Sequence, residues 1–269
     1  MSLLVRTWNL FHGNAVPPER EAFLDEMVRL AAADDPDVLC LQEVPAWALS
    51  RLEDWSGMTA VPVLAAPPRL GPLRWPAAAG RAVTALNHGL LRSAFAGQGN
   101  AILVARRHRV LERETLILNP HRFRRGQARR LGLDTITRLA WAKERRICQA
   151  VRLERSGGGT LLVANLHATS YPADERIADL ELRRAGFFLE ALARSGEPIV
   201  LCGDTNVLAE RSATLRELAA AGWSEPASGI DQVLAHGLAA ARLEAWPEGR
   251  RRLHGRLLSD HAPVEAVLG

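Results

Sequence analysis

Acids, amides and imidazoles recur in this 269-residue chain at the points where an apolar run gives out. Asn9 closes LLVRTWN, Glu43 follows DVLCLQ, and Asn165 and His167 lie in LLVANLH. Asp204 and Asn206 end PIVLCGDTN, Asp231 opens DQVLAH, and Asp260 and His261 precede the alternating PVEAVLG. Taken singly, each has an ordinary structural use, since Asn and Asp cap helices and close turns through local hydrogen bonds. Taken together, they come from strand ends in different parts of the chain, which a packed sheet sandwich can bring to one rim. Such a set, without cysteine ligands or a glycine-rich nucleotide loop, suits a hard, oxygen-binding cation such as magnesium. A cation held that way is suited to work on phosphate.

Hydrophobic periodicity supplies the elements that must position these residues. LLVRTWNL (3–10) reads as a strand, and 17–33 as a helix with Phe23, Met27, Leu30 and Ala31 on one face. Asp35-Pro36 breaks that helix, and DVLCLQEV (37–44) has the continuous apolar character of a buried strand. Further strands are expected at 100–106, 109–118 and 198–206, and a hairpin at 145–155 and 160–170 around Gly157–Gly159. Helices are expected at 173–194 and 212–221, and the chain closes with strands at 229–237, near ARLEAW, and at the C-terminus. By the two-residue period of a strand, Trp8 points away from the face of Asn9 and into the core. Residues 62–80, rich in Pro, Ala and Gly, read as a long surface excursion, and 121–138 as an arginine-rich loop that could rim a groove for a polyanion. No internal repeat or linker divides the chain, so a single domain spanning 1–269 is expected.

A hydrophobic fraction of 48% with 24% charged residues is that of a globular chain with a sizeable core. The net charge is only +4, but Lys143 is the single lysine among 34 basic residues. Arginine forks match phosphate oxygens, and codon bias would produce the same composition. Cys40, Cys148 and Cys202 lie in apolar runs without metal-ligand or redox spacing and read as core residues. No apolar run approaches the roughly eighteen residues of a membrane span, and Arg6 interrupts the first apolar stretch too early for a signal peptide. A soluble, cytoplasmic protein is expected.

The ordered set TWN, LQE, NLH, GDTN, GID and SDH, running from Thr7 to His261, resembles the endonuclease/exonuclease/phosphatase superfamily of metal-dependent phosphoesterases. The resemblance implies an α/β (α+β) fold, a four-layer αββα sandwich of two packed mixed sheets flanked by helices. It implies Mg2+ as cofactor, with Mn2+ as a substitute, held by Glu43 with Asn9 and Asp260. Asp231 would orient His261, His261 or Asp204 would deprotonate the attacking water, and Asn206 and His167 would donate to the phosphate. Such a site answers the problem of an anionic diester, which needs positive charge at phosphorus, a base for water and help for the leaving oxygen.

This chain departs from some relatives in carrying Phe11 where they have an acid, so a second metal position does not carry over. Either Arg145 or Arg146 could be the phosphate-contacting arginine that relatives often have on the following strand. GDTNVLAER departs from the GDxNxR pattern of inositol phosphatases, and TWN, LQE, GDTN and SDH also resemble the tyrosyl-DNA phosphodiesterase branch. DNA is the expected substrate and partner. The alternatives are a small-molecule or lipid phosphoester, and a binding module that has lost its chemistry, although here all six motifs are filled.

Overall fold

A computed structural model of the chain describes residues 2–19, 21–70, 73, 74, 76 and 96–269. Six strands form the first large sheet, in the order β13 (Ala240–Ala245), β16 (Val264–Leu268), β1 (Leu3–Asn9), β3 (Val38–Val44), β7 (Gln98–Val104) and β4 (Thr59–Ala66). Five form the second, in the order β12 (Asp231–His236), β11 (Ile199–Asp204), β10 (Thr160–His167), β9 (Ile147–Glu154) and β8 (Arg109–Ile117). The short β2 (Ala15–Val16), β14 (Arg252–Leu253) and β15 (Arg256–Leu258) make a small third sheet, and β5 (Arg69–Leu70) pairs with β6 (Leu73–Arg74).

Both large sheets are mixed. β1 runs parallel to β3, and β10 to β11, while the other pairings within them are antiparallel. A parallel pair needs a crossover, and the helices Leu24–Ala32 and Arg176–Leu192 supply the two. The two parallel pairs thus bring four strand C-termini to sheet edges, the place where open α/β sheets bind ligands.

Alternation decides which residues meet between the sheets. Val5, Val38, Cys40 and Ile102 from the first sheet pack against Val151, Val163, Val200, Cys202 and Val233 from the second. The opposite faces of the same strands carry Trp8, Leu39, Leu41 and Leu103 onto the helix Leu24–Ala32, and Leu162, Leu201 and Leu234 onto the helix Arg176–Leu192. The result is the expected αββα sandwich, with each fully buried aliphatic side chain contributing about 1.5–3 kcal/mol. All three cysteines are buried and unpaired by disulfides, and Trp8 is in the core. Among the described residues no helix is long and apolar enough to cross a membrane.

Three elements differ from the sequence-based reading. The helix expected over 17–33 begins only at Leu24, and Ala15–Val16 ahead of it pairs with β15. The expected excursion at 62–80 starts inside β4, which continues to Ala66, and residues 71, 72, 75 and 77–80 lie outside the described residues. The arginine-rich segment is two helices, His121–Arg130 and Thr135–Ala142, and not a loop. Arginine is a good helix former, Asp134 caps the second helix through Thr137 N, and of the segment's apolar residues only Ala128, Leu133 and Trp141 are fully buried, in a small cluster with Ile177. So few buried positions leave little periodic signal.

Candidate active site

At one end of the layer between the sheets, polar residues continue the inward-facing register that valines occupy elsewhere. Val5, Thr7 and Asn9 share one face of β1, as do Val163, Asn165 and His167 on β10, Val200, Cys202 and Asp204 on β11, and Asp231 and Val233 on β12. Pairing then brings them side by side: His167 is in register with Asp204, and Asp204 with Asp231.

Glu43 reaches the same place by a different route. Strict alternation would put it on the face of Leu39 and Leu41, under a helix. The β3–β7 register shifts between Leu41 and Val44, and Glu43 takes a left-handed backbone with φ of 53°. A bulge of this kind re-aims a side chain. The Glu43 carboxylate lies 3.2 Å from His12 Nε2 and 3.6 Å from His167 Nε2.

The hydrogen bonds make a connected set. Asn9 Nδ2 donates to Asp204 Oδ2 at 3.0 Å, and Asn206 N to Asp204 Oδ1 at 3.0 Å. Asp231 Oδ2 lies 2.8 Å from His261 Nδ1, which turns His261 Nε2 toward Asp204 Oδ2 at 3.9 Å and Asp260 Oδ1 at 4.0 Å. The Arg146 Nη1 lies 2.9 Å and 3.0 Å from the two ring nitrogens of His167. Asn206 is the partial exception, because its amide donates to the Ala168 carbonyl at 3.1 Å and leaves one N–H for a ligand. Asp260 is about half exposed at the mouth.

Four carboxylates therefore converge, and among the described residues no arginine or lysine forms an ion pair with Glu43, Asp204, Asp231 or Asp260. Burial and these charges together shift Asp204 and His261. Burial first, then the charge of Asp231, raises Asp204 to about 7. Burial lowers His261, but its hydrogen bond to Asp231 and the charges of Asp231, Asp204 and Asp260 outweigh this and raise it to about 10. Asp260 is raised, chiefly by burial, and His167 is held well below the ordinary range by burial and the nearby Arg146. Carboxylates crowded in this way fit a divalent cation, and the donors are all hard oxygen or nitrogen atoms. Asp204, Asp231 and His261 also have ligand atoms within 4.8 Å of one another, but His261 Nδ1 is already committed to Asp231.

The model of the Endonuclease/Exonuclease/phosphatase family matches residues 7–261, nearly the whole chain. The chain belongs to that family. Its members are hydrolases of phosphoester bonds and are generally dependent on a divalent metal. Among solved structures, an endonuclease/exonuclease/phosphatase from Beutenbergia cavernae is similar at a TM-score of 0.67 and 17% identity, over 99% of this chain and 71% of that one. A family protein from Bacteroides thetaiotaomicron is similar at 0.64 and 15%, over 100% and 97% of the two chains. A humanized D. rerio TDP2 is similar at 0.61 and 15%, over 100% and 99%. These likenesses concern the fold. No curated protein gives a significant match.

Within the family motifs, several residues hold the cleft together. Asn165 donates to the carbonyls of Leu41 and Ala101 at 2.9 and 3.0 Å and accepts from Gln42 Nε2 at 2.7 Å, while Gln42 also donates to Thr7 Oγ1 at 2.9 Å. This amide layer ties the two sheets together beneath the carboxylates. Ser259 Oγ donates to the Asn9 carbonyl at 2.7 Å, and Trp8 Nε1 to that of His261 at 2.9 Å. Sequence reasoning missed Arg251, whose buried guanidinium donates to the carbonyls of Ser259 and His261 at 2.7 and 3.1 Å and so shapes the SDH turn. It also missed His12, although LFHG directly follows TWN. Between the two candidate arginines, Arg145 turns to the carbonyls of Ala65 and Leu64, and Arg146 enters the cleft.

Proposed function

We propose that this protein is a Mg2+-dependent phosphodiesterase that cleaves DNA in the cytoplasm, the whole chain acting as one catalytic domain. The observation that carries the reading is the convergence of Asn9, Glu43, His167, Asp204, Asp231 and His261 from separate strand ends onto one cleft whose carboxylates ion-pair with no arginine or lysine among the described residues. Glu43, Asn9 and Asp260 would hold the cation. When bound, it would polarise a phosphoryl oxygen and offset the carboxylate field that retains the His261 proton.

Asp231 holds the His261 ring by Nδ1 so that Nε2 faces the cleft. Two groups can accept the proton of the attacking water. Asp204, raised to about 7, has the affinity that suits a base at neutral pH. His261, raised to about 10, carries its proton there and suits charge stabilisation or donation to the leaving oxygen. In the metal-free site these two values support Asp204 as acceptor with His261 as its cationic partner. Arg146, His167 and the remaining Asn206 N–H would donate to phosphate oxygens as charge redistributes.

DNA is supported by the arginine-rich surface and by the fold likeness to TDP2, together with the TWN, LQE, GDTN and SDH motifs. The test is a panel of plasmid and linear DNA, single-stranded RNA, a 5′-tyrosyl oligonucleotide, a phosphoinositide and a bis-aryl phosphodiester. Each is assayed with Mg2+ or Mn2+, with native protein, Glu43→Ala and His261→Ala. DNA cleavage that needs metal and falls about a hundredfold or more in both variants is expected. Hydrolysis of the aryl diester alone, with the same losses, would keep the site and overturn the DNA substrate.

A further inference from the structure

Arginine is common throughout this chain, but its company is not uniform. Arg107, Arg176 and Arg211 illustrate the usual case, each ion-paired to an acid. On the helices His121–Arg130 and Thr135–Ala142 the pattern changes. Among the described residues no carboxylate ion-pairs with Arg122, Arg124, Arg125, Arg129, Arg130 or Arg138. Residues 121–146 hold nine Arg and Lys against Asp134 and Glu144, an excess larger than the net +4 of the whole chain, so the remainder is net acidic. Codon bias accounts for arginine everywhere, and not for arginine left without acids in one place.

The helix His121–Arg130 separates two cavities. On one side, a cavity of about 250 Å3 is lined by His121, Arg124, Arg125, Arg129, Arg138 and Trp141, with no acid. Arg124 and Arg138 are fixed there by Nε–H bonds to the carbonyls of Asn119 and Leu133 at 2.9 and 2.8 Å, which leaves their terminal nitrogens to the cavity. On the other side, a cavity of about 530 Å3 is lined by Phe123, Phe187, Phe188, Leu180, Arg130 and Arg184. Phe187 is 59% exposed, Arg184 lies 4.8 Å from the Phe123 ring centroid, and Arg184 Nε is buried without a hydrogen-bond partner.

The helix pair is also braced to the catalytic cleft. Asn119 accepts from Arg146 N at 2.9 Å and donates to the carbonyl of Glu144 at 2.8 Å. Arg146 in turn lies against His167. An unpaired cationic cavity near an exposed aromatic ring, Phe187, with the half-buried Phe123 beside it, is the combination that holds single-stranded nucleic acid, with phosphates neutralised by arginine and bases stacked on aromatic faces. A duplex has no unpaired bases to offer those rings.

We propose that the helices 121–142 are a second binding surface for a single-stranded stretch of the DNA substrate, with phosphates in the arginine cavity and bases against Phe187 and Phe123. This rests on the DNA reading of the catalytic site. It is tested by fluorescence anisotropy in chelator, where nothing is cleaved, using a labelled single strand of about twenty nucleotides and its duplex. The variants are Arg125→Ala/Arg129→Ala/Arg138→Ala, Phe187→Ala, and a charge-matched control, Arg29→Ala/Arg106→Ala/Arg252→Ala. All six arginines are exposed, and thermal melting checks the fold.

The first triple variant is expected to bind the single strand about tenfold or more weakly, with the log–log salt slope smaller by about two, at roughly 0.7 for each phosphate no longer neutralised. Phe187→Ala is expected to weaken single-strand binding by about tenfold and duplex binding far less. Equal affinity and slope in the triple variant and the control, while native protein still cleaves DNA, overturn this inference and leave the catalytic reading standing. Native protein that neither binds nor cleaves DNA but hydrolyses the aryl diester overturns both. A triple variant that loses binding to phosphoinositide vesicles, with DNA binding intact, overturns it in favour of a lipid headgroup.

Discussion

Asp231→Asn separates charge from shape at the centre of the cleft. The amide keeps the size of the side chain and its place 2.8 Å from His261 Nδ1, but the negative charge goes. Two catalytic candidates feel that charge most. His261 is raised to about 10 against the opposing effect of its burial, with Asp231 the leading favourable cause. Asp204 is raised to about 7, first by burial and next by Asp231. A unit charge about 4 Å away is worth about 4 kcal/mol at an effective dielectric near 20, or roughly three pKa units. Partial exposure screens the pair, so a fall of roughly one to two units in His261 is expected. Histidine titration by NMR in the metal-free protein reads it directly. The pKa values of Asp204 and His261 both move down, so the pH–rate profile of the loaded enzyme should shift to lower pH. kcat should drop by about 10²–10⁴ as the ring loses its orienting anion. A His261 that titrates at the same pH in both proteins would refute the pairing from which these roles follow.

The other predictions test the frame around the site. Gly203→Ala would place a Cβ 2.0 Å from the Leu166 carbonyl oxygen at a φ of +131°, so a loss of more than about 4 kcal/mol in urea unfolding is expected; near-native stability would contradict the close strand approach. Asn165→Ala leaves the carbonyls of Leu41 and Ala101 and the Gln42 amide without their partner, a cost of about 2–4 kcal/mol by the same measurement. Arg146→Ala is expected to lower kcat/KM about a hundredfold and Arg145→Ala to leave it within about twofold, and the reverse order would show that the wrong arginine was assigned. Mg2+ at about a hundredfold over its Kd should stabilise the native chain by about 2.7 kcal/mol, several degrees in Tm, and leave Glu43→Ala unmoved.

Much of the site was legible because strand alternation and sheet pairing are local rules. Asn9, His167, Asp204 and Asp231 each extend a run of inward-facing apolar residues, so their shared face followed from period two. Glu43 was legible only through its motif, since alternation alone assigns it to the helix side and a left-handed bulge brings it back. Arg145 and Arg146 are chemically identical in sequence, and what separates them is which carbonyls and which imidazole happen to lie nearby. Arg251 sits in a run of three arginines, and its burial depends on the turn it organises. The helix pair at 121–142 was missed because its buried face is three or four residues wide, too little for a period to show.

The family motifs divide by depth along the inter-sheet layer. At the rim stand Glu43, Asp204, Asp231 and Asp260; burial and then the charge of Asp231 raise Asp204, and the carboxylates raise His261 against its burial. One step deeper, Thr7, Gln42 and Asn165 join the sheets by amide and hydroxyl bonds, so the Q of LQE and the N of NLH hold the edges that the carboxylates push apart. The sign of the pKa shift gives the two sets different signatures. A carboxyl with a raised folded pKa contributes stability below its unfolded pKa and loses it as pH rises through the folded value, so ionised Asp204 costs the metal-free fold stability above about pH 7. Asp204→Asn should therefore abolish activity while holding or raising Tm at pH 8 without metal, whereas Asn165→Ala lowers both together. Thermal melts at pH 5 and pH 8 on the two variants separate these cases, and an Asp204→Asn protein that melts well below native at pH 8 would mean the carboxylate is held in place by the fold and not against it.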